Sequence, residues 1–152
     1  MIKLDRTLTY RLHLLHKLTD AMSQRAYVAG AGLSMSDGRC LAAVGTFAPL
    51  SVVDLAKKAN LNKGQASRAA QSLVDQGLVL KAASPTDGRG VVLTLTTAGQ
   101  SAWQRAMDVV AQRNLDIFGG LSGDEQTQLS SFFDRLIAQA QAGGELAEDS
   151  DD

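Results

Sequence analysis

From Ser51 to Thr96 the chain changes periodicity twice, and that change constrains its fold more than any other feature. Ser51 is placed to cap a short helix carrying Val52, Val53, Leu55 and Ala56, which runs out near Ala59-Asn60. Asn62 opens a second helix, and Gln65 three residues on completes a capping-box pattern, in which each side chain bonds the other residue's backbone N–H. Ala66, Ala69, Ala70 and Leu73 share one face of that helix, and Gly77 ends it. Two helices joined by the tight Asn60-Leu61-Asn62 link make a helix-turn-helix candidate. A β-like run then spans Leu78 to Ala82, Ser84 to Gly90 is rich in turn formers, and Val91 to Thr96 is β-prone throughout. A helix-turn-helix followed by a hairpin is the winged-helix arrangement.

Helical periodicity flanks this segment on both sides. Leu4, Leu8, Leu12, Leu15, Leu18 and Met22 recur at steps of three and four, which predicts a long first helix to about Ala29, stopped by Gly30 and Gly32. Ser34 or Ser36 then caps a second helix through Cys40, Leu41, Ala42 and Val44 toward Phe47, ended by Pro49. After Gly99, Ala102, Trp103, Ala106, Val109, Val110 and Ile117 trace a helix to Phe118, and Gly119-Gly120 breaks it. Ser122, with Gln126 or in a capping box with Glu125, opens a last helix carrying Leu129, Phe132, Phe133, Leu136, Ile137 and Ala140, with its end expected at Gly143-Gly144. The expected fold is therefore mainly α with a small β-wing. A single domain covers 1–141, with the winged helix at about 48–98 and flanking helices at about 4–29 and 100–141.

The formal net charge of −1 over 152 residues hides an asymmetry. Five acids and no base lie between Ala142 and Asp152, leaving 15 basic against 11 acidic residues before them. The stretch 142–152 reads as an acidic disordered tail and the body as mildly basic, which suits an anionic partner. No uncharged stretch reaches the roughly 20 residues of a membrane helix, and Met1-Ile2-Lys3-Leu4-Asp5 lacks the layout of a secretory signal, so no membrane association and a cytoplasmic location are expected. One cysteine and two histidines exclude a disulfide framework and zinc-finger spacing. There is no glycine-rich phosphate loop, no HExxH and no GxSxG, so the chain is not read as an enzyme and no cofactor is expected.

The outer side of the helix opened by Asn62 would show Lys63, Gln65, Ser67, Arg68 and Gln71. Arginine and lysine bond guanine edges or phosphates, and glutamine can bond adenine with two hydrogen bonds. Gly64 would let the backbone approach DNA closely. At the hairpin tip Arg89 can enter a minor groove with Asp87 holding its guanidinium, while Ser51, Lys57, Lys58 and Lys81 suit phosphate contacts.

These residues carry a resemblance. Asp54-Leu55-Ala56, Leu61 to Arg68, Leu73, Gly77-Leu78-Val79, the wing Asp87-Gly88-Arg89 and Leu93 to Gly99 together resemble the MarR (multiple antibiotic resistance regulator) family, collinearly from Val53 to Gly99. The order of the flanking helices agrees with that family over nearly the whole chain. The resemblance implies a homodimeric, sequence-specific transcription factor, a repressor that binds double-stranded DNA at a pseudo-palindromic operator and releases it on binding a small, phenolic or aromatic-acid effector. It places Lys63, Gln65, Ser67, Arg68 and Gln71 at recognition-helix contact positions and Asp87 and Arg89 in the wing motif. Gly88 departs from the family's frequent second basic residue, and Ala69 and Ala70 replace larger apolar residues, so the helix is expected to sit closer to its neighbour. By the same resemblance the terminal helices interlock two subunits, and a two-fold pair sets two recognition helices about 34 Å apart on successive major grooves.

The resemblance also implies an effector pocket between the first two helices and the winged helix, which would draw on His13, His16, Lys17 and Arg39. His13 and His16, three residues apart, would need further ligands to hold a metal, and no metal site is assigned. Two alternatives stand beside this reading. Cys40 next to Arg39 could serve a redox-sensing regulator, and the winged helix could be a protein-interaction module without specific DNA binding.

Overall fold

The computed structural model describes residues 1–86 and 90–148, with side chains described as far as Gly144. Its elements are α1 (Leu8–Ala31), α2 (Met35–Phe47), α3 (Val52–Lys58), α4 (Lys63–Asp75), β1 (Val79–Ala83), β2 (Val91–Leu95), α5 (Thr97–Phe118) and α6 (Gly123–Glu148). A short 3-10 turn, Leu4–Arg6, precedes α1. Among the described residues no helix is long and apolar enough to cross a membrane. The elements form two compact units, Met1–Arg113 and Asn114–Asp152.

Local chemistry sets the boundaries in the larger unit. Thr7, Ser34, Ser51 and Asn62 each accept a backbone N–H from the first turn of the helix that follows, which satisfies a donor the helix itself leaves orphaned. The first helix thus begins at Leu8 rather than Leu4, because Thr7 is extended at φ −71° and ψ 148° and breaks the run. Gly32 caps α1 at φ 67°, a left-handed conformation that costs glycine little. Asn60 takes the same region at φ 57° and turns α3 toward α4, with the Leu61 amide donating to the Ala56 carbonyl at 2.9 Å.

The hairpin pairs antiparallel with Val79 opposite Leu95 and Ala83 opposite Val91. Leu50 adds a bridge to Leu93, exchanging backbone hydrogen bonds at 2.8 and 3.4 Å, so the wing is tied back to the segment before α3. Thr96 caps α5 by accepting from the Gly99 amide at 2.9 Å, while its hydroxyl donates to the Gly77 carbonyl at 2.7 Å.

The core lies inside the winged helix: Leu41, Val44, Leu55, Leu73, Val79 and Leu93 are all buried to below 2% exposure. α2 is its central member, with Cys40, Leu41, Ala43 and Val44 buried. It approaches its neighbours through glycine. Gly38 lies against the Tyr27 ring of α1 and Gly45 against the indole of Trp103 on α5, whose Nε1 donates to the Ala42 carbonyl at 3.1 Å. A methyl group at either glycine would collide with the ring.

In the smaller unit the capping box forms between Ser122 and Glu125, the two bonds measuring 2.8 and 3.1 Å. Gln126 instead donates to the Phe118 and Leu121 carbonyls. The Ser122 hydrogen bonds hold the Glu125 carboxyl below its ordinary pKa. One expectation is corrected here: α6 does not end at Gly143-Gly144 but passes through the pair to Glu148, so 142–148 is helix, while 149–152 fall outside the described residues. Each glycine costs a helix about 1 kcal/mol relative to alanine, which the helix-forming Gln and Ala residues around the pair offset.

These two glycine environments predict opposite signs. Gly45→Ala should lower the urea midpoint through overpacking against Trp103, a cost of about 1–3 kcal/mol that exceeds the gain in helix propensity. Gly143→Ala, with open space around it, should leave the midpoint unchanged or raise it.

Candidate nucleic-acid interface and effector cleft

α4 owes its position to an alanine face. Ala66, Ala69, Ala70 and Leu73 are buried, and Lys63, Gly64, Gln65, Ser67, Arg68 and Gln71 are exposed on the opposite side. The small side chains let the helix sit close to α2 and α3, and its polar face projects from the body. Both halves of the Asn62–Gln65 capping box are made: the Gln65 amide donates to Asn62 Oδ1 at 2.8 Å, and the Asn62 amide donates to Gln65 Oε1 at 3.1 Å.

The polar face is not uniformly free. Gln65 uses its side-chain carbonyl in the cap and keeps its NH₂ for other partners. Gln71 is engaged at both ends, its Nε2 donating to Asp75 at 2.8 Å and its Oε1 accepting from Lys81 of β1 at 2.8 Å. Ser51 caps α3. The space above Gly64 is shared with Arg68, whose Nη1 would lie 3.3 Å from a Cβ there, so that guanidinium folds back along the helix. Among the described residues, Lys63, Ser67 and Arg68 are thus the exposed side chains of this α4 face that make no internal hydrogen bond, and Lys57 is exposed on α3. Asp87 and Arg89 of the wing lie outside the described residues. Lys58 does not point away from the body: its ammonium sits 4.7 Å from the centre of the Phe47 ring, a cation–π contact.

A cleft of about 570 Å³ opens beside α2 in the larger unit. His16 and Tyr27 of α1, Arg39, Ala42 and Phe47 of α2, Lys58 and Asn60 at the helix-turn-helix, and Met107 and Val110 of α5 are among its lining. Of the four effector residues expected from sequence, His16 and Arg39 reach it and His13 and Lys17 do not line it. α1 is continuous through all three of its positions, so its face determines which one reaches the cleft. Arg39 Nη2 bonds Asp20 Oδ1 at 2.9 Å, and His16 Nε2 lies 3.5 Å from Asp20 Oδ2. Burial raises the Tyr27 hydroxyl pKa above its ordinary value, and the nearby Arg39 charge opposes that rise. Its walls are aromatic and aliphatic side chains, joined by the two cations Arg39 and Lys58. Sequence reasoning missed Tyr27, Phe47, Met107 and Val110, since an apolar residue on a helix reads as core whether it meets a neighbour or a cavity. It assigned Lys58 to phosphate, and nothing local signals that the side chain turns onto Phe47.

Cys40 is fully buried, and its thiol pKa is pushed up to about 12 by desolvation and, secondarily, by the Asp37 charge. Reactive thiols need the reverse, an exposed and electropositive setting. A raised pKa means that the folded state holds the proton more tightly than the unfolded one. The stability this confers is complete below about pH 9 and is lost as pH rises toward 12, by up to about 1.4 kcal/mol per pH unit. Native protein at pH 8 should therefore resist a disulfide reagent that labels the thiol in urea, and Cys40→Ala should remove that component of the alkaline slope.

Comparison with known proteins agrees with this architecture. The MarR family model matches residues 31–90. An HTH-type transcriptional repressor of Mycobacterium tuberculosis is 27% identical over 105 residues, covering 69% of this chain and 76% of the relative. Among solved structures, a mutant MarR of Escherichia coli complexed with operator DNA is 23% identical with a TM-score of 0.72, covering 86% of this chain and 93% of that one. The Bordetella bronchiseptica protein BpsR, from a study of how 6-hydroxynicotinic acid regulates its DNA binding, is 19% identical with a TM-score of 0.79, covering 90% and 97%. The two structural likenesses concern the fold. Taken with the capped α4 and the hairpin that follows it, the family-model match over the helix-turn-helix shows what this segment is similar to, the winged helix of the MarR family.

Proposed function

We propose that this chain is a homodimeric transcriptional repressor that binds a pseudo-palindromic DNA operator through α4 and releases it when an aromatic acid enters the cleft beside α2. The observation that carries the DNA reading is the division of α4 into a buried alanine face and an exposed face bearing Lys63, Gln65, Ser67 and Arg68. A helix held close to the body by small residues can still reach a major groove if its outer face carries long donors. Ser51, Gln71, Asp87 and Arg89 complete the proposed contact set, Gln71 exchanging its internal partners for DNA.

The dimer reading is supported by apolar surface. Leu4, Leu8, Leu12, Leu15, Leu18 and Met22 are 46–80% exposed, and Phe132, Phe133, Leu136 and Ile137 are also exposed. A soluble monomer rarely leaves stripes of this extent in water, and a second copy of the chain would cover them. The effector reading is supported by the cleft, where a carboxylate could compete with Asp20 for Arg39 while an aromatic ring lies against Phe47 and Met107.

Selection of duplexes from a random pool at near-physiological salt, with solution mass measured in parallel, tests the proposal. The expected result is a palindrome with half-sites about one helical turn, roughly 10 bp, apart, bound by a dimer. A folded protein that enriches no sequence would overturn it in favour of a protein-interaction module. Arg68→Ala should relax preference at one operator position by about 1–3 kcal/mol if it reads a base, whereas Lys63→Ala should weaken all duplexes alike if it contacts phosphate.

A further inference from the structure

We propose that Asp37, at the start of α2, is a positioning residue for sequence recognition, because its carboxylate sets the rotation of α4. The proposal rests on reading α4 as the helix that enters DNA. Asp37 Oδ2 accepts a 2.6 Å hydrogen bond from the Ser72 hydroxyl and a 3.2 Å bond from Gln76 Nε2, and Gln76 Nε2 also donates to Ser72 Oγ at 3.0 Å. The Ser72 bond is partly buried, and its length is that of a strong charge-assisted pair.

Large apolar side chains contribute little to seating this helix. Three of its four buried residues are alanines, too short to interlock deeply with a facing groove, which leaves Leu73 and the partly buried Val74 as the larger side chains it packs on the core. Directional hydrogen bonds supply the missing constraint. Lys81 of β1, bonded to Gln71, holds one flank of α4, and Asp37 holds the other.

The Asp37 flank carries the reading residues. Gln65, Arg68 and Ser72 line the same cleft as Asp37, one helical turn separating Arg68 from Ser72. A rotation of α4 that breaks the Ser72 bond therefore displaces Gln65 and Arg68. Asp37 itself is an unsuitable DNA ligand, since its charge repels phosphate, and a purely electrostatic role predicts the wrong sign for its loss.

That sign decides the test. The duplex selected by the parent protein and a scrambled duplex of equal length are titrated with Asp37→Ala, Asp37→Asn, Ser72→Ala and the Asp37→Ala/Ser72→Ala double variant, with thermal melting recorded for each. Both Asp37 substitutions remove the same charge, but asparagine keeps an oxygen that can accept from Ser72. We expect Asp37→Ala to bind the selected duplex about tenfold more weakly, the value of one aligned base contact, and the scrambled duplex no more weakly than the parent does. Asp37→Asn should recover most of the loss. Ser72→Ala should match Asp37→Ala, and the double variant should be no worse than either, because all three lack the same bond. Equal tightening on both duplexes, equal behaviour of Asp37→Ala and Asp37→Asn, or additive single-site losses would overturn the proposal. If the parent selects no duplex, the DNA reading fails first; in that case a chemical shift of the Arg68 side chain that is the same in parent, Asp37→Ala and Asp37→Asn would overturn the positioning role separately.

Discussion

The larger unit depends on one buried helix. α2 carries Cys40, Leu41, Ala43 and Val44 into the core, and every other helix of the unit is attached to it by a different contact. Gly38 admits the Tyr27 ring and Arg39 bonds Asp20, which fixes α1. Asp37 receives Ser72 and Gln76 of α4, Phe47 receives the Lys58 ammonium of α3, and Gly45 with the Ala42 carbonyl receives Trp103 of α5. Side chains in a close-packed interior have few alternative arrangements, so a shift of α2 is felt at each of these contacts. The cleft beside α2 and the outward face of α4 are therefore two ends of one packed assembly. That is a physical basis on which the proposed effector and the proposed operator would be linked.

Small residues and polar clamps divide the work along α4. The alanines bring its axis close to α2 and α3, burying area without specifying rotation. Asp37 on one side and Lys81, through Gln71, on the other specify rotation without adding much buried area. A larger apolar face would have done both with shape alone. The chain's use of alanine explains why its hydrogen bonds, each modest in net free energy at about 1 kcal/mol, carry orientation here.

Much of this architecture could be read directly from the residues. The Asn62–Gln65 and Ser122–Glu125 capping boxes, the caps at Ser34 and Ser51, the buried set Ala66, Ala69, Ala70 and Leu73, and the hairpin after Gly77 all formed as their spacing predicts. These signals are legible because donor and acceptor lie within four residues, or because a helix repeats every 3.6. Boundaries were read less well. α1 starts at Leu8 because Thr7 is extended, and α6 passes through Gly143-Gly144 because two glycines weaken a helix without forbidding it. Of the interior of the cleft, Arg39 and His16 were legible as polar residues in the right region. Tyr27, Phe47, Met107 and Val110 were not, since their facing depends on how helices far apart in sequence are rotated.

Sequence by itself determined the caps that open α2, α3, α4 and α6, the presence of the hairpin, which side of α4 is buried and which is polar, and that the terminal helices carry apolar stripes. Each follows from interactions among neighbours along the chain. Tertiary structure decided which distant polar groups meet: Asp20 with Arg39 across 19 positions, Asp37 with Ser72 across 35, and Trp103 with the Ala42 carbonyl across 61. It also decided that Lys58 turns onto Phe47 and that Gln71 accepts a hydrogen bond from Lys81. Such pairings depend on helix rotation and on glycine-sized gaps such as those at Gly38 and Gly45, and neither is encoded within reach of the residues that pair.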